Sequence, residues 1–236
     1  MFWWIVATLC AFYVKGLCGF ANSLVFSSVL SFGNNNVHIS PVELLLGYPS
    51  NLIISLRERK SIQWKMCIAL AAVVIAGSIP GTFFLKNVDT TIIKKFFGIV
   101  IIFIGLEMFF REFQKKKMKE SKVFLALIGI LSGILCGLYG VGALLGAYIS
   151  RVTTDTSGFK ANICMVFVFE NTFRIILYSF LGILTLDVFR QVLMLVPFML
   201  LGLTLGMISG KFIKESIAQK LVIILLIVSG VALVIR

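Results

Sequence analysis

Arg174 lies inside the apolar run 161–183, with Glu170 one helical turn before it. That i, i+4 spacing puts both side chains on one face of a helix. A charge in a bilayer interior is costly, so such residues pair, bind ligand or carry protons. Three uses are open here: an ion pair that eases insertion, an arginine held ready for an anion, or proton coupling through Glu170. Lys15, in another apolar stretch, either serves a site or extends its stem to the interface. Asn51 and Asn171 complete the set, because a buried amide needs hydrogen-bond partners and can line a polar path. Asn162 and Tyr139 are secondary candidates and Ser50 a weaker one. His38, the only histidine, falls in the polar 33–40 connection and reads as a solvated side chain.

These residues surround two interruptions that repeat. Gly16-Leu17-Cys18-Gly19 recurs as Gly137-Leu138-Tyr139-Gly140, 121 positions later, and Asn51 recurs as Asn171 after 120. Gly77 and Gly81 recur as Gly202 and Gly206 at an offset of 125, and Gly105 as Gly230 at the same offset. The stretches 2–14, 20–32, 123–136 and 141–149 flank these glycines, and each is too short to span a bilayer, which takes about 20 residues. A broken helix in a membrane leaves main-chain groups to be satisfied by protein or water. The freed N–H groups at the start of a half-helix form an anion site. They are expected at residues 20–23 and 140–143, bringing Gly19, Gly140 and Gly142 to the site, with Asn22 and Ser23 as added side-chain donors. The same glycines would equally allow close packing between helices.

The elements that carry these groups are apolar helices. Hydrophobic residues make up 59% of the 236-residue chain and charged residues only 14%, too few to cover a soluble domain of this size. Residues 66–85, 92–110, 161–183, 187–210 and 221–235 read as membrane segments. None shows the alternation of a β-barrel strand. The net charge of +12 reflects Lys and Arg gathered in short connections, a topology signal, not a nucleic-acid surface. The five cysteines read as small buried apolar side chains, and no cofactor or metal is called for. Gly77/Gly81 and Gly202/Gly206 have GxxxG spacing, which serves packing within the chain or, as a weaker alternative, a homodimer.

Each half therefore has four segments: a glycine-broken opening and three transmembrane helices, the first of them polar. Residues 1–110 form the first repeat, 111–122 a basic connector and 123–236 the second repeat. If the broken segments span, the basic residues of the connections and the C-terminus divide 12 to 8 across the membrane; if they are re-entrant, 15 to 5. The steeper bias favours re-entrant hairpins with both termini outside. The odd number of crossings per half then makes the halves inverted repeats within an all-α polytopic membrane protein.

This grammar resembles the sulfite exporter TauE/SafE family, also called the TSUP transporters. The resemblance rests on the openings Gly16-Leu17-Cys18-Gly19-Phe20-Ala21-Asn22-Ser23-Leu24 and Leu131-Ser132-Gly133-Ile134-Leu135-Cys136-Gly137-Leu138-Tyr139-Gly140-Val141-Gly142. It continues through Pro49, Asn51 and the Gly77–Gly81 helix with Pro80. In the first opening Ala21 and Asn22 stand where the family carries a denser glycine cluster. The resemblance implies a bacterial inner-membrane protein that exports or exchanges sulfite, sulfonates or related sulfur anions, coupled to protons or sodium if it imports. The residues argue separately against other classes. No Gly-x-x-x-x-Gly-Lys-Ser/Thr loop is present for ATP, and no Gly-x-Ser-x-Gly or His-Glu-x-x-His motif for hydrolysis. A non-transporting assembly or sensor subunit is the alternative, although a scaffold has no need of paired breaks.

Overall fold

The computed structural model of the chain describes residues 1–30, 36–87, 122–139, 142–153 and 155–213, with isolated positions within 99–109 and 217–234. The connector 111–121, most of the expected segments 92–110 and 221–235, and the matched pair Gly105/Gly230 lie outside the described residues.

Every described element is helical. Helix α1 spans Phe2–Cys18, α2 Asn22–Leu30, α3 Asn36–Arg57 and α4 Trp64–Asn87, with a 3-10 turn at Arg59–Ser61 between the last two. Helix α5 spans Lys122–Tyr139, α6 Ala143–Val152, α7 Thr156–Phe180 and α8 Leu186–Phe212. Among the described residues, four stretches are long and apolar enough to cross a membrane: Ile39–Arg57, Trp64–Thr82, Thr156–Phe180 and Leu186–Phe212. Large apolar side chains such as Leu193, Leu201 and Phe180 are exposed along them. That surface is suited to lipid, where no hydrophobic penalty attaches to it.

Local chemistry sets the helix ends. The Asp155 carboxylate accepts from the Gly158 N–H at 3.0 Å and starts α7 five residues before the apolar run begins. Thr185 caps α8 in the same way. Helix α7 stops at Gly182, whose φ of 67° allows its own N–H to reach the Ser179 carbonyl and that of Ile183 to reach Tyr178.

Three expectations are corrected here. The 33–40 connection is already helical from Asn36, so His38 sits on α3, which absorbs Pro41; its side chain lies outside the described residues. The breaks come later than the glycine pattern implied: Lys15 and Gly16 belong to α1, and Gly137 to α5. The break after α1 is the left-handed pair Gly19 (φ 88°) and Ala21 (φ 71°). Cys10 is exposed, unlike the other four cysteines, because it points away from the stripe of α1 that carries Ala7, Ala11 and Lys15.

After the first break the chain doubles back. The Trp4 and Phe26 rings meet edge to face at 5.8 Å, whereas a continuous helix would hold those residues roughly 33 Å apart.

The two halves exchange partners. Helix α1 packs on α8 and α4 on α5, while α3 and α7 face each other. Glycine makes the first two contacts backbone-close. A Cβ on Gly202 would lie 2.6 Å from the Leu9 carbonyl oxygen, and one on Gly77 would lie 2.3 Å from that of Ile130. Gly206 opposes the Tyr13 carbonyl as Gly81 opposes that of Ile134; Gly16 meets Leu203 and Met207 as Gly137 meets Ser78 and Thr82. Shifting one set by the sequence offsets 121 and 125 yields the other, residue for residue. Both GxxxG faces are thus occupied within the chain. The contact also explains why glycine stands at 16 and 137, in the last turns of α1 and α5.

A methyl group at Gly133 would fall 2.1 Å from the Val74 carbonyl oxygen, whereas one at Gly210 meets only ordinary contacts from 3.6 Å outward. Gly133→Ala is expected to destabilise the purified protein by about 1–3 kcal/mol and lower its thermal midpoint in detergent. Gly210→Ala should leave that midpoint nearly unchanged.

Candidate functional site

The facing helices α3 and α7 carry most of the buried polar and charged side chains among the described residues. On α3, Glu43, Gly47 and Asn51 recur every four residues and so share one face. On α7, Glu170, Asn171, Arg174 and Tyr178 form the corresponding stripe, all buried. Glycine at position 47 leaves room between them: a Cβ there would come within 3.2 Å of Glu43 Oε1, 3.6 Å of Asn22 Nδ2 and 3.8 Å of Asn171 Nδ2.

Arg174 is the hub. Its Nη2 lies 3.7 Å from Glu43 Oε2 and its Nε 3.8 Å from Glu170 Oε1. Its Nη1 donates to the Cys136 carbonyl. The Tyr178 hydroxyl reaches the next carbonyl, of Gly137, at 3.3 Å, and lies 3.0 Å from Ser40 Oγ. A cation and a hydroxyl thus meet the last turn of α5, where the carbonyls beyond the intrahelical ladder carry the negative end of the helix dipole. The Arg174–Glu170 pairing expected from their spacing is present, but Arg174 is shared with a second acid from the other half.

That acid, Glu43, escaped the sequence reading. It follows Pro41 and precedes Leu44-Leu45-Leu46, within the span Ile39–Arg57. An acid bordering such an apolar run was the available signal; the assignment of 33–40 to a loop hid it. Glu43 Oε1 accepts from Asn22 Nδ2 at 2.5 Å and from Ser23 Oγ at 2.7 Å. The two side chains expected to donate to an anion at the first break therefore donate to a carboxylate of the protein.

Lys15 is fully enclosed, with Nζ 3.5 Å from the Gly47 carbonyl and 5.9 Å from the Phe12 ring centre. It points inward, so the interface alternative is overturned. Asn51 and Asn171 are both buried, and among the described residues Asn51 Oδ1 has no hydrogen-bond partner. Nor has either carboxylate oxygen of Glu170, or Arg174 Nε. Ser50 Oγ closes on the Gly47 carbonyl at 2.6 Å. Asn162 is engaged elsewhere, accepting from the Gln63 N–H at 2.7 Å and donating to the Gly158 and Ser61 carbonyls. It ties the 59–63 turn to α7. Gly140 and the side chain of Tyr139 lie outside the described residues.

Helix α7 also tends both breaks. Lys160 Nζ donates to the Gly16 carbonyl at 3.4 Å and Cys164 Sγ to that of Gly19 at 3.2 Å, closing the C-terminal end of α1. Lys160 is a half-buried helical residue. From Lys160 to Arg174 is 14 residues, so the ends of α1 and α5 lie about 21 Å apart along α7. The starts of α2 and α6 approach its middle instead, with Gly142 packed under the Phe167 ring. Glycine is needed at both breaks, since a Cβ at Gly19 would meet Lys160 at 2.7 Å and one at Gly142 would meet Phe167 at 2.0 Å.

Removing one member of a buried ion pair leaves its partner uncompensated and costs about 3–5 kcal/mol. Arg174→Gln is therefore expected to destabilise the protein by that order, read as a fall in thermal midpoint. Adding Glu170→Gln to it should recover part of the loss by removing one of the stranded carboxylates.

A family model described as sulfite exporter TauE/SafE matches residues 4–233. Nothing among curated proteins or solved structures matches the chain. The family match runs through both halves, both breaks and the whole charge cluster, and this chain belongs to the sulfite exporter TauE/SafE family of membrane transporters.

Proposed function

We propose that the protein is a secondary transporter that exports or exchanges a small anion such as sulfite, a sulfonate or a related sulfur oxyanion. Its site draws on Lys15, Gly19, Asn22, Ser23 and Asn51 of the first half and on Tyr139, Gly140, Gly142, Asn171 and Arg174 of the second. One observation carries this reading: two buried cations, Lys15 and Arg174, converge with amide and hydroxyl donors beside a helix break in a membrane-spanning bundle. Such groups are costly to bury and suit recognition of a compact anion. The family points the same way. The exchanged glycine contacts support an inverted-repeat architecture, and the reversal after Gly19 supports a re-entrant first segment. On this reading the protein works in a bacterial inner membrane.

The test is flux of sulfite, and of a simple sulfonate, into proteoliposomes containing only this chain. Wild-type protein should carry at least one of them. Asn171→Ala, which removes an uncharged donor, should retain its fold and lower the flux about tenfold, as loss of one hydrogen bond worth about 1.4 kcal/mol predicts. Wild-type vesicles that carry neither anion would leave the assembly or sensor reading in its place.

A further inference from the structure

The donors expected to receive an anion are already held by Glu43. Its Oε1 takes the hydrogen bonds of Asn22 and Ser23, and its Oε2 faces the Arg174 guanidinium at 3.7 Å. A carboxylate is itself a small oxyanion, so the protein's own side chain fills the role a substrate would play. Glu170 differs, because its oxygens accept no hydrogen bond among the described residues and it meets only Arg174, at 3.8 Å.

Charge balance makes the arrangement consequential. Lys15 of α1 and Arg174 of α7 bring two basic side chains to Glu43, and Glu43 and Glu170 answer with two acidic ones. Tyr178 of α7 and Cys136 of α5 also lie within its electrostatic reach. Helix α2 offers only the neutral Asn22 and Ser23. Lys65 of α4, and Asp187, Arg190 and Lys211 of α8, are exposed near helix ends. Among the described residues the cluster is therefore neutral when all four groups are ionised, and an entering monoanion would leave one uncompensated negative charge in a medium that screens poorly.

We propose that Glu43 is a proton-carrying gate, an inference that rests on the anion-transport reading above. Between transport events its carboxylate occupies Asn22, Ser23 and Arg174. When a proton from the adjoining aqueous phase binds a carboxylate oxygen, the neutral acid releases those donors and the substrate anion takes them. On the far side the anion leaves, the proton returns to water, and the carboxylate closes on its donors again. One anion and one proton cross together, so the cycle moves no net charge. The membrane potential then does not drive it; the anion and pH gradients together set its direction, and net export runs when the outward anion gradient exceeds the inward proton gradient.

Methanesulfonate is the suitable probe, because its charge is constant at every usable pH. Proteoliposomes are loaded with a pH-sensitive dye, and a potassium gradient with valinomycin sets the voltage. Wild-type protein should take up one proton per methanesulfonate, with accumulation changing about tenfold per unit of pH gradient and not with voltage. Glu43→Gln holds the gate permanently neutral. It should still carry the anion, but without protons, and accumulation should follow the voltage at about tenfold per 59 mV. Glu43→Asp should restore proton coupling.

Wild-type uptake that follows voltage without proton movement overturns the gate, and this arm requires no variant to fold. The gate is equally overturned by a Glu43→Gln protein that remains pH-driven, by a folded Glu43→Gln protein that carries nothing, or by coupling lost in Glu170→Gln and kept in Glu43→Gln. If wild-type vesicles move neither methanesulfonate nor sulfite, the failure is that of the transport reading itself.

Discussion

A guanidinium shut away from water at 1% exposure has to be neutralised by what surrounds it, and Arg174 draws that neutralisation from three helices at once. Glu170 stands on its own helix, Glu43 on α3, and the Cys136 carbonyl at the end of α5. Desolvating each charge costs several kcal/mol, so none is stable alone and the cluster has to assemble as a unit. Its members come from both halves, which makes the pairing of the halves a condition for burying any of these charges. Glu43 extends the dependence to the first break through Asn22 and Ser23.

The glycine contacts set the geometry in which this can happen. In lipid no hydrophobic force drives one helix onto another, and close backbone approach supplies packing in its place. Helices α1 and α8 meet at Gly16, Gly202 and Gly206, while α4 and α5 meet at Gly77, Gly81, Gly133 and Gly137. These two contacts flank the α3–α7 pair and hold each broken segment against a helix of the opposite half. Some glycines therefore pack, as the plainer expectation had it. Gly19 and Gly142 have a different task, turning the chain or admitting a side chain of α7 at the break.

Function follows from how charge is distributed along α7. Its first turns close the end of α1 through Lys160 and Cys164, and its later turns engage the end of α5 through Arg174 and Tyr178. Between them lie Phe167, Glu170 and Asn171, facing Gly142 and the polar stripe of α3. A helix that contacts both breaks is placed to sense movement of either one.

Composition and apolar run length alone determined that the chain is helical and membrane-embedded, because the requirement to satisfy backbone groups in lipid acts on every residue and needs no knowledge of contacts. The repeated glycine spacing was equally legible, and so was the Glu170–Arg174 pairing, since helical periodicity brings those two together locally. What the linear order hid were relations between distant segments. Glu43 looked like a residue beside a polar loop until α3 began at Asn36 and carried it into the core. Lys160 stands just before the apolar run and is helical because Asp155 starts α7 ahead of it. That Asn22 and Ser23 donate to Glu43, 20 residues and more away, and that Glu43 meets Arg174 of the opposite half, depended on the packing of whole helices. A carboxylate finds its partners through space, and only the tertiary arrangement sets those distances.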